Sequence, residues 1–128
     1  MKQQKTLNKH LLLFIIILAF FPHNVLAQDA KSNDTSQLVG EYTTVSIAYN
    51  FLRSCNAANP NDGEKIQSIM LNKKESLFKK HSFSSAEKSN INKALSNLPQ
   101  KVKKTDPYAC YLSMDTAKQN LKIWLPSE

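Results

Sequence analysis

The sequence has only two glycines, Gly40 and Gly63, and neither stands in a phosphate-cradling run. That excludes the glycine-rich nucleotide loops, whose backbone must approach a phosphate closely. It has only two cysteines, Cys55 and Cys110, far apart in the chain. That excludes a C-x-x-C redox pair and a cysteine-rich zinc cluster. Histidine is scarce: His10, His23 and His81 are the three. The first two fall in the N-terminal 27 residues, which carry the features of a removed segment, and His81 sits in a polar loop, where we read it as solvated. No stretch alternates apolar and polar residues as a half-buried strand does, and no internal repeat is visible. The carboxylates Asp62, Glu64, Glu75, Glu87, Asp106 and Asp115 are scattered. Several suit helix caps or first turns better than catalysis. We therefore read no catalytic residue, no metal site and no cofactor, and expect a protein that is not an enzyme.

What is present begins at the N-terminus. Lys2, Lys5 and Lys9 give a positive start, and Leu11 to Phe21 runs eleven residues without a polar or charged side chain. Pro22 breaks the run, and Val25 and Ala27 place small residues three and one positions before a cut after Ala27. This is the layout of a secretory signal peptide over residues 1–27. A membrane span needs about 20 apolar residues, more than the run supplies. A lipoprotein signal needs a cysteine just past the cut, and the nearest is Cys55. The expectation is a periplasmic chain without lipid or membrane anchor of its own.

Removing the first 27 of 128 residues leaves 101, a single domain by length. Three lysines leave with the signal, so the net charge falls from +7 to +4. That is ordinary for a small domain and points to no nucleic acid. Both cysteines remain, and in an oxidising compartment paired thiols are usually bridged. A Cys55–Cys110 bridge would close a loop of about 55 residues and stabilise the fold by roughly 4 kcal/mol on the chain-entropy account. Two free buried thiols, or an intermolecular pair, are the other arrangements.

Residues 28–35 lack large apolar side chains, which predicts a flexible leader before a domain over 36–128. From about Ser36 to Asn56, Leu38, Tyr42, Val45, Tyr49 and Leu52 recur at helical steps, with Ala48, Phe51 and Cys55 alongside. Thr43, Thr44, Val45, Ser46 and Ile47 form a β-branched weak point. Ala57 to Gly63 reads as a loop dense in turn formers from Asn59 on, with Asp62 as cap of a helix from Glu64 to about Lys80. Ile66, Ile69, Met70, Leu77 and Phe78 line that helix, and Lys73 and Lys74 interrupt the stripe. Ser84 and Glu87 form a capping box ahead of a helix bearing Ile91, Ala94, Leu95 and Leu98, and Pro99 either stops it or begins a new turn. Asp106 and Pro107 start the last helix. Cys110, Met114, Ala117, Leu121 and Trp124 follow at four- and three-residue steps, with Tyr111, Leu112 and Leu125 widening that face. The fold class is all-α: a small bundle of four to five helices, stapled by the bridge from the first to the last.

Two features suggest a binding surface. Phe51, Leu71, Phe78, Phe83 and Tyr108 fall at or beyond the edges of the apolar stripes. They either widen the core or line a groove for a partner helix. Lys73, Lys74, Lys79, Lys80, Lys101, Lys103 and Lys104 form two basic clusters. These are a solvated face, or a dock for an acidic partner or anionic head groups.

An aromatic-rich helix ends in Tyr49, Asn50, Phe51, Leu52, Arg53, Ser54 and Cys55, and the turn Asn59 to Ile66 follows. About 55 residues then separate Cys55 from Cys110, ahead of a closing helix with Leu121. In these features the chain resembles the small helical pilotins of type II secretion systems, of the AspS/GspS-beta kind, and their periplasmic relative YacC. The resemblance spans most of the mature chain. It implies a disulfide-closed helical domain that binds a short C-terminal helix of the secretin and escorts it to the outer membrane. Only Cys55 and Cys110 carry over as matched positions. Many pilotins are lipoproteins, and this chain departs from them in lacking the acylated cysteine. A second reading is a periplasmic immunity protein against a peptidoglycan amidase delivered by type VI secretion. Ala109, Cys110, Tyr111 and Leu112, followed by Asp115, are similar to the tail of such inhibitors. A rigid polar loop at 57–63 would then plug the enzyme's cleft.

Overall fold

The apolar stripes become helices in the computed structural model, which describes residues 24–126. In chain order these are α1 (Asn24–Ser54), α2 (Asp62–Lys80), α3 (Ser85–Ala94) and α4 (Pro107–Leu121). Among the described residues there is no strand. The signal-peptide reading lies outside the described residues up to His23. A compact unit begins at Asn33 and holds the core.

α1 is helical through its β-branched segment, and its two threonine hydroxyls are absorbed locally. Thr43 Oγ1 donates to the Val39 carbonyl at 2.7 Å and Thr44 Oγ1 to the Gly40 carbonyl at 2.9 Å. Each is a bond to the carbonyl four residues back, which keeps the threonines inside the helical pattern. The stripe Leu38, Tyr42, Val45, Ala48, Tyr49 and Leu52 is buried along its whole length. Val45 and Ile66 are wholly shielded, and each such aliphatic side chain contributes about 1.5–3 kcal/mol by leaving water. Residues 28–35, expected as a flexible leader, are helical here as part of α1. Extending a helix already nucleated adds a hydrogen bond per residue fixed, so a segment without apolar anchors can continue one.

The end of α1 is built by backbone geometry. Asn56 takes a left-handed φ of 55°. The Ala57 amide reaches the Leu52 carbonyl at 2.8 Å, and the Asn56 amide reaches Arg53 at 3.1 Å. This pair of bonds is a Schellman stop with asparagine in the position usually held by glycine. It fixes Cys55 as the last turn's cap. Asp106 Oδ1 accepts from the Tyr108 and Ala109 amides, so α4 starts as the sequence predicts, with Pro107 in its first turn. Cys110 follows in that turn, and the two sulfurs are joined, with Cα atoms 5.7 Å apart. Beside them Ser54 and Thr105 share a hydroxyl contact at 2.6 Å, and the Thr105 amide donates to the Ser54 carbonyl. At the far end of α4, Trp124 meets Glu41 and Tyr42 of α1. α1 and α4 therefore run antiparallel, with α4 tied to α1 near both of its own ends.

Several local expectations shift. Asn61, not Asp62, precedes α2, and it makes no side-chain cap bond. Asp62 and Glu64 instead place negative charge in the first turn, where the helix dipole favours it. The capping box of Ser84 and Glu87 forms in both directions. α3 ends at Ala94, well before Pro99, with Leu95 at its C-cap. Ala94 is exposed while Ile91 and Leu95 are buried. Tyr111 and Leu112 do not widen the core: they are 81% and 59% exposed. The core side of α4 is already filled by Cys110, Met114, Ala117 and Leu121, and one and two residues past Cys110 the helix has turned these side chains away from it.

Candidate functional site

The five edge hydrophobics do not converge on one surface. Phe51, Phe78 and Phe83 are half-buried and pack against the core. Phe78 and Phe83 face each other with ring centroids 5.3 Å apart, and Lys88 Nζ lies 5.6 Å from the Phe78 ring. Leu71 and Tyr108 are 46% and 69% exposed. Leu71 stands on α2 and Tyr108 at the start of α4.

Leu71 lies on the wall of a groove of about 710 Å³ between α1 and α2. Tyr49 and Arg53 come from α1, Gly63, Gln67 and Leu71 from α2, and Leu98 from the link to α4. Its depth at Tyr49 depends on a missing side chain. A Cβ on Gly63 would stand 2.8 Å from Tyr49 Oη and 3.2 Å from the ring. Glycine at that point lets the ring lie against the backbone of α2.

Arg53 sets the charge of the groove. Its guanidinium lies 5.6 Å from the Tyr49 ring centroid and donates to the Pro99 and Gln100 carbonyls and to Asn50 Oδ1. These bonds hold the link after α3 against the end of α1. A second hollow of about 700 Å³ continues past Arg53 to Lys101 and Val102 and shares Tyr49, Arg53 and Pro60 as walls. The combined surface is apolar at Leu71 and Leu98, basic at Arg53 and Lys101, and acidic only at Glu64.

The polar seam between α1 and α2 is occupied by its own side chains. Asp34 Oδ2 receives Lys80 Nζ at 2.7 Å and lies 2.8 Å from His81 Nε2. His81 is thus not simply solvated: its side chain is 11% exposed and it caps α2. The hydrogen bond to His81, with that from Lys80, holds the Asp34 carboxyl below its ordinary value. Glu41 accepts from Trp124 Nε1 at 2.8 Å, Gln37 Nε2 at 2.9 Å and Lys73 Nζ at 3.0 Å. The Trp124 bond does most to hold the Glu41 carboxyl low, against a burial that pushes it up. Lys73, which interrupts the stripe of α2 in the sequence, bridges to Glu41 and sits 5.7 Å from the Trp124 ring. Sequence periodicity gives no signal for this cluster, because its members are separated by up to 83 positions.

Among the described residues, no three His, Cys, Asp or Glu side chains gather as a metal set. No described helix is long and apolar enough to cross a membrane. Compared with known proteins, the chain matches no family model, no curated protein and no solved structure.

Proposed function

We propose that this chain is an exported, non-enzymatic binding protein of the pilotin kind, which takes an amphipathic helix of a secretin subunit into the groove of Tyr49, Leu71 and Leu98. The observation that carries the reading is the groove's composition. Leu71 presents exposed apolar surface beside Tyr49, and the walls are basic at Arg53 and Lys101 and acidic at Glu64. An amphipathic helix lays its apolar side into such a trough. Its carboxyl end, which carries the negative pole of the helix dipole, suits the basic walls at Arg53 and Lys101. The disulfide supports a periplasmic setting, since such bridges persist where thiols are oxidised. The escort itself would reach the outer membrane through the bound secretin.

Calorimetry of the oxidised chain with a synthetic secretin C-terminal helix tests this. Binding is expected, and Leu71→Asp should weaken it tenfold or more without lowering the melting temperature. No binding by an independent optical readout as well as no heat would remove the reading.

One observation favours the immunity alternative. The loop after α1 is polar and tied down, with Asn59 Oδ1 accepting from the Asn61 amide at 3.0 Å and the Asp62 amide donating to the Asn59 carbonyl. Under that reading the chain would inhibit a peptidoglycan amidase, and substitutions at Asn59 and Pro60, not Leu71, would abolish inhibition.

A further inference from the structure

The exposed apolar surface is concentrated in one place, and it is not the groove. Among the described residues six large hydrophobics are exposed, and four of them are Tyr108, Tyr111, Leu112 and Ile123. All four belong to α4 or to the turn that closes it. At 100° per residue, Tyr108 and Leu112 point opposite to the buried row of Cys110, Ala117 and Leu121, and Tyr111 stands about 100° round from it. The backbone continues in tight turns through Ile123 and Trp124, which places Ile123 near the same outward side. From Tyr108 to Leu121 the helix runs about 20 Å at 1.5 Å per residue, with Asp115, Thr116 and Gln119 exposed on the outward side between Leu112 and Ile123.

Cations flank it. Lys103 and Lys104 precede α4, Lys118 and Lys122 lie along and just past it, and all four are exposed. Lys104 and Tyr111 line the same hollow of about 610 Å³ beside the disulfide. Two carboxylates lie nearby. Asp106 is engaged by the amides it caps, and Asp115 stands exposed on the outward side.

We propose that the outward face of α4 is a docking surface for an anionic phospholipid bilayer, on which the helix lies in the plane of the head groups. Three properties favour lipid. Tyr108 and Leu112 stand on the convex side of a single helix, away from the hollow that Tyr111 lines. Two of the face's four apolar groups are tyrosines, whose rings suit the head-group level. Lysines at both ends can meet lipid phosphates, each contributing to adsorption on an anionic surface. A second copy of the chain laid on this face would bring the lysines of both copies together. Shallow insertion of an amphipathic helix with basic flanks is reversible and falls with salt. This surface is separate from the groove, so the inference stands whether or not a secretin helix binds there.

The test is co-sedimentation of the processed, oxidised chain with vesicles of phosphatidylethanolamine and phosphatidylglycerol, against vesicles of phosphatidylcholine alone. Partition to the anionic vesicles is expected, weakening as salt is raised. Tyr111→Ser combined with Leu112→Ser, both at exposed positions, should reduce it on the order of tenfold with the melting temperature unchanged. Lys103→Gln with Lys104→Gln should reduce it to a similar extent. Asp115→Asn should strengthen it. Leu71→Asp should leave it unaltered, which separates this face from the groove. Equal binding to neutral vesicles, binding indifferent to the α4 variants, or a concentration-dependent dimer lost with Tyr111→Ser in place of vesicle binding would each overturn the proposal.

Discussion

Glu41 and Trp124, 83 positions apart, meet through one hydrogen bond: the indole Nε1 donates to the Glu41 carboxylate at 2.8 Å. The bond joins the middle of α1 to the residues just past α4, and the same oxygen receives Lys73 of α2. Three segments distant in sequence are thus pinned to one carboxylate. Trp124→Phe keeps most of the apolar bulk and removes the donor. It is expected to cost about 1.5–3 kcal/mol, the range for a hydrogen bond to a charged group. A urea midpoint at neutral pH measures it, and Glu41→Gln in the same background should add less than it does in the parent chain.

The bridge between Cys55 and Cys110 is expected to be the largest single contribution to stability. Cys55→Ser should lower the unfolding free energy by about 4 kcal/mol on the chain-entropy account. Thermal melting with and without reductant checks this. Reductant should lower the parent's midpoint and leave the variant's unchanged.

Acid should loosen the contact between α1 and the end of α2. Asp34 has a folded-state pKa below its ordinary 3.8, because His81 and Lys80 donate to the ionised form. A depressed acid stabilises the fold above the ordinary value and loses that contribution as pH falls through the lower folded value. Glu41 behaves likewise below its ordinary 4.5. Stability should therefore hold from neutral pH to about these values and decline beneath them. Asp34→Asn should flatten part of that decline, as read by urea midpoints across the acid range.

Gly63→Ala should deform the groove. The new methyl would press on a tyrosine that is 6% exposed and held under Arg53. Overpacking of this kind costs about 1–3 kcal/mol. Tyr49→Phe, by removing the oxygen 2.8 Å from the added carbon, should recover part of the loss. A double-mutant cycle gives the recovery directly.

Ser46 carries a buried hydroxyl oxygen without a partner in the middle of α1. Ser46→Ala removes an unmet polar group and improves helix propensity, so a gain of about 1 kcal/mol is expected. A higher urea midpoint with an unchanged slope would bear this out.

The helices and the bridge were readable in the chain because they rest on local rules. The period of Leu38, Tyr42, Val45, Tyr49 and Leu52, the Ser84–Glu87 box and the Asp106 cap each act within a few residues, and all are present. Cys55 and Cys110 each lay at a helix end facing the core, which left a bridge within reach. The N-terminal reach of α1 was not readable, since its Asp34 contact with Lys80 and His81 spans 46 and 47 positions. The candidate surface was readable only in part. Leu71 faces the groove, but Phe51, Phe78 and Phe83 pack inward. Tyr49, Arg53 and Leu98 escaped because a groove's walls come from how helices cross, and no single stripe encodes that.

The sulfur link leaves α2, α3 and the segment after them inside one covalent ring. A protease that cuts the exposed stretch around Lys103 and Lys104 would open the ring without releasing a fragment. The nicked molecule would run as one band on a gel until a thiol reagent parted it into two.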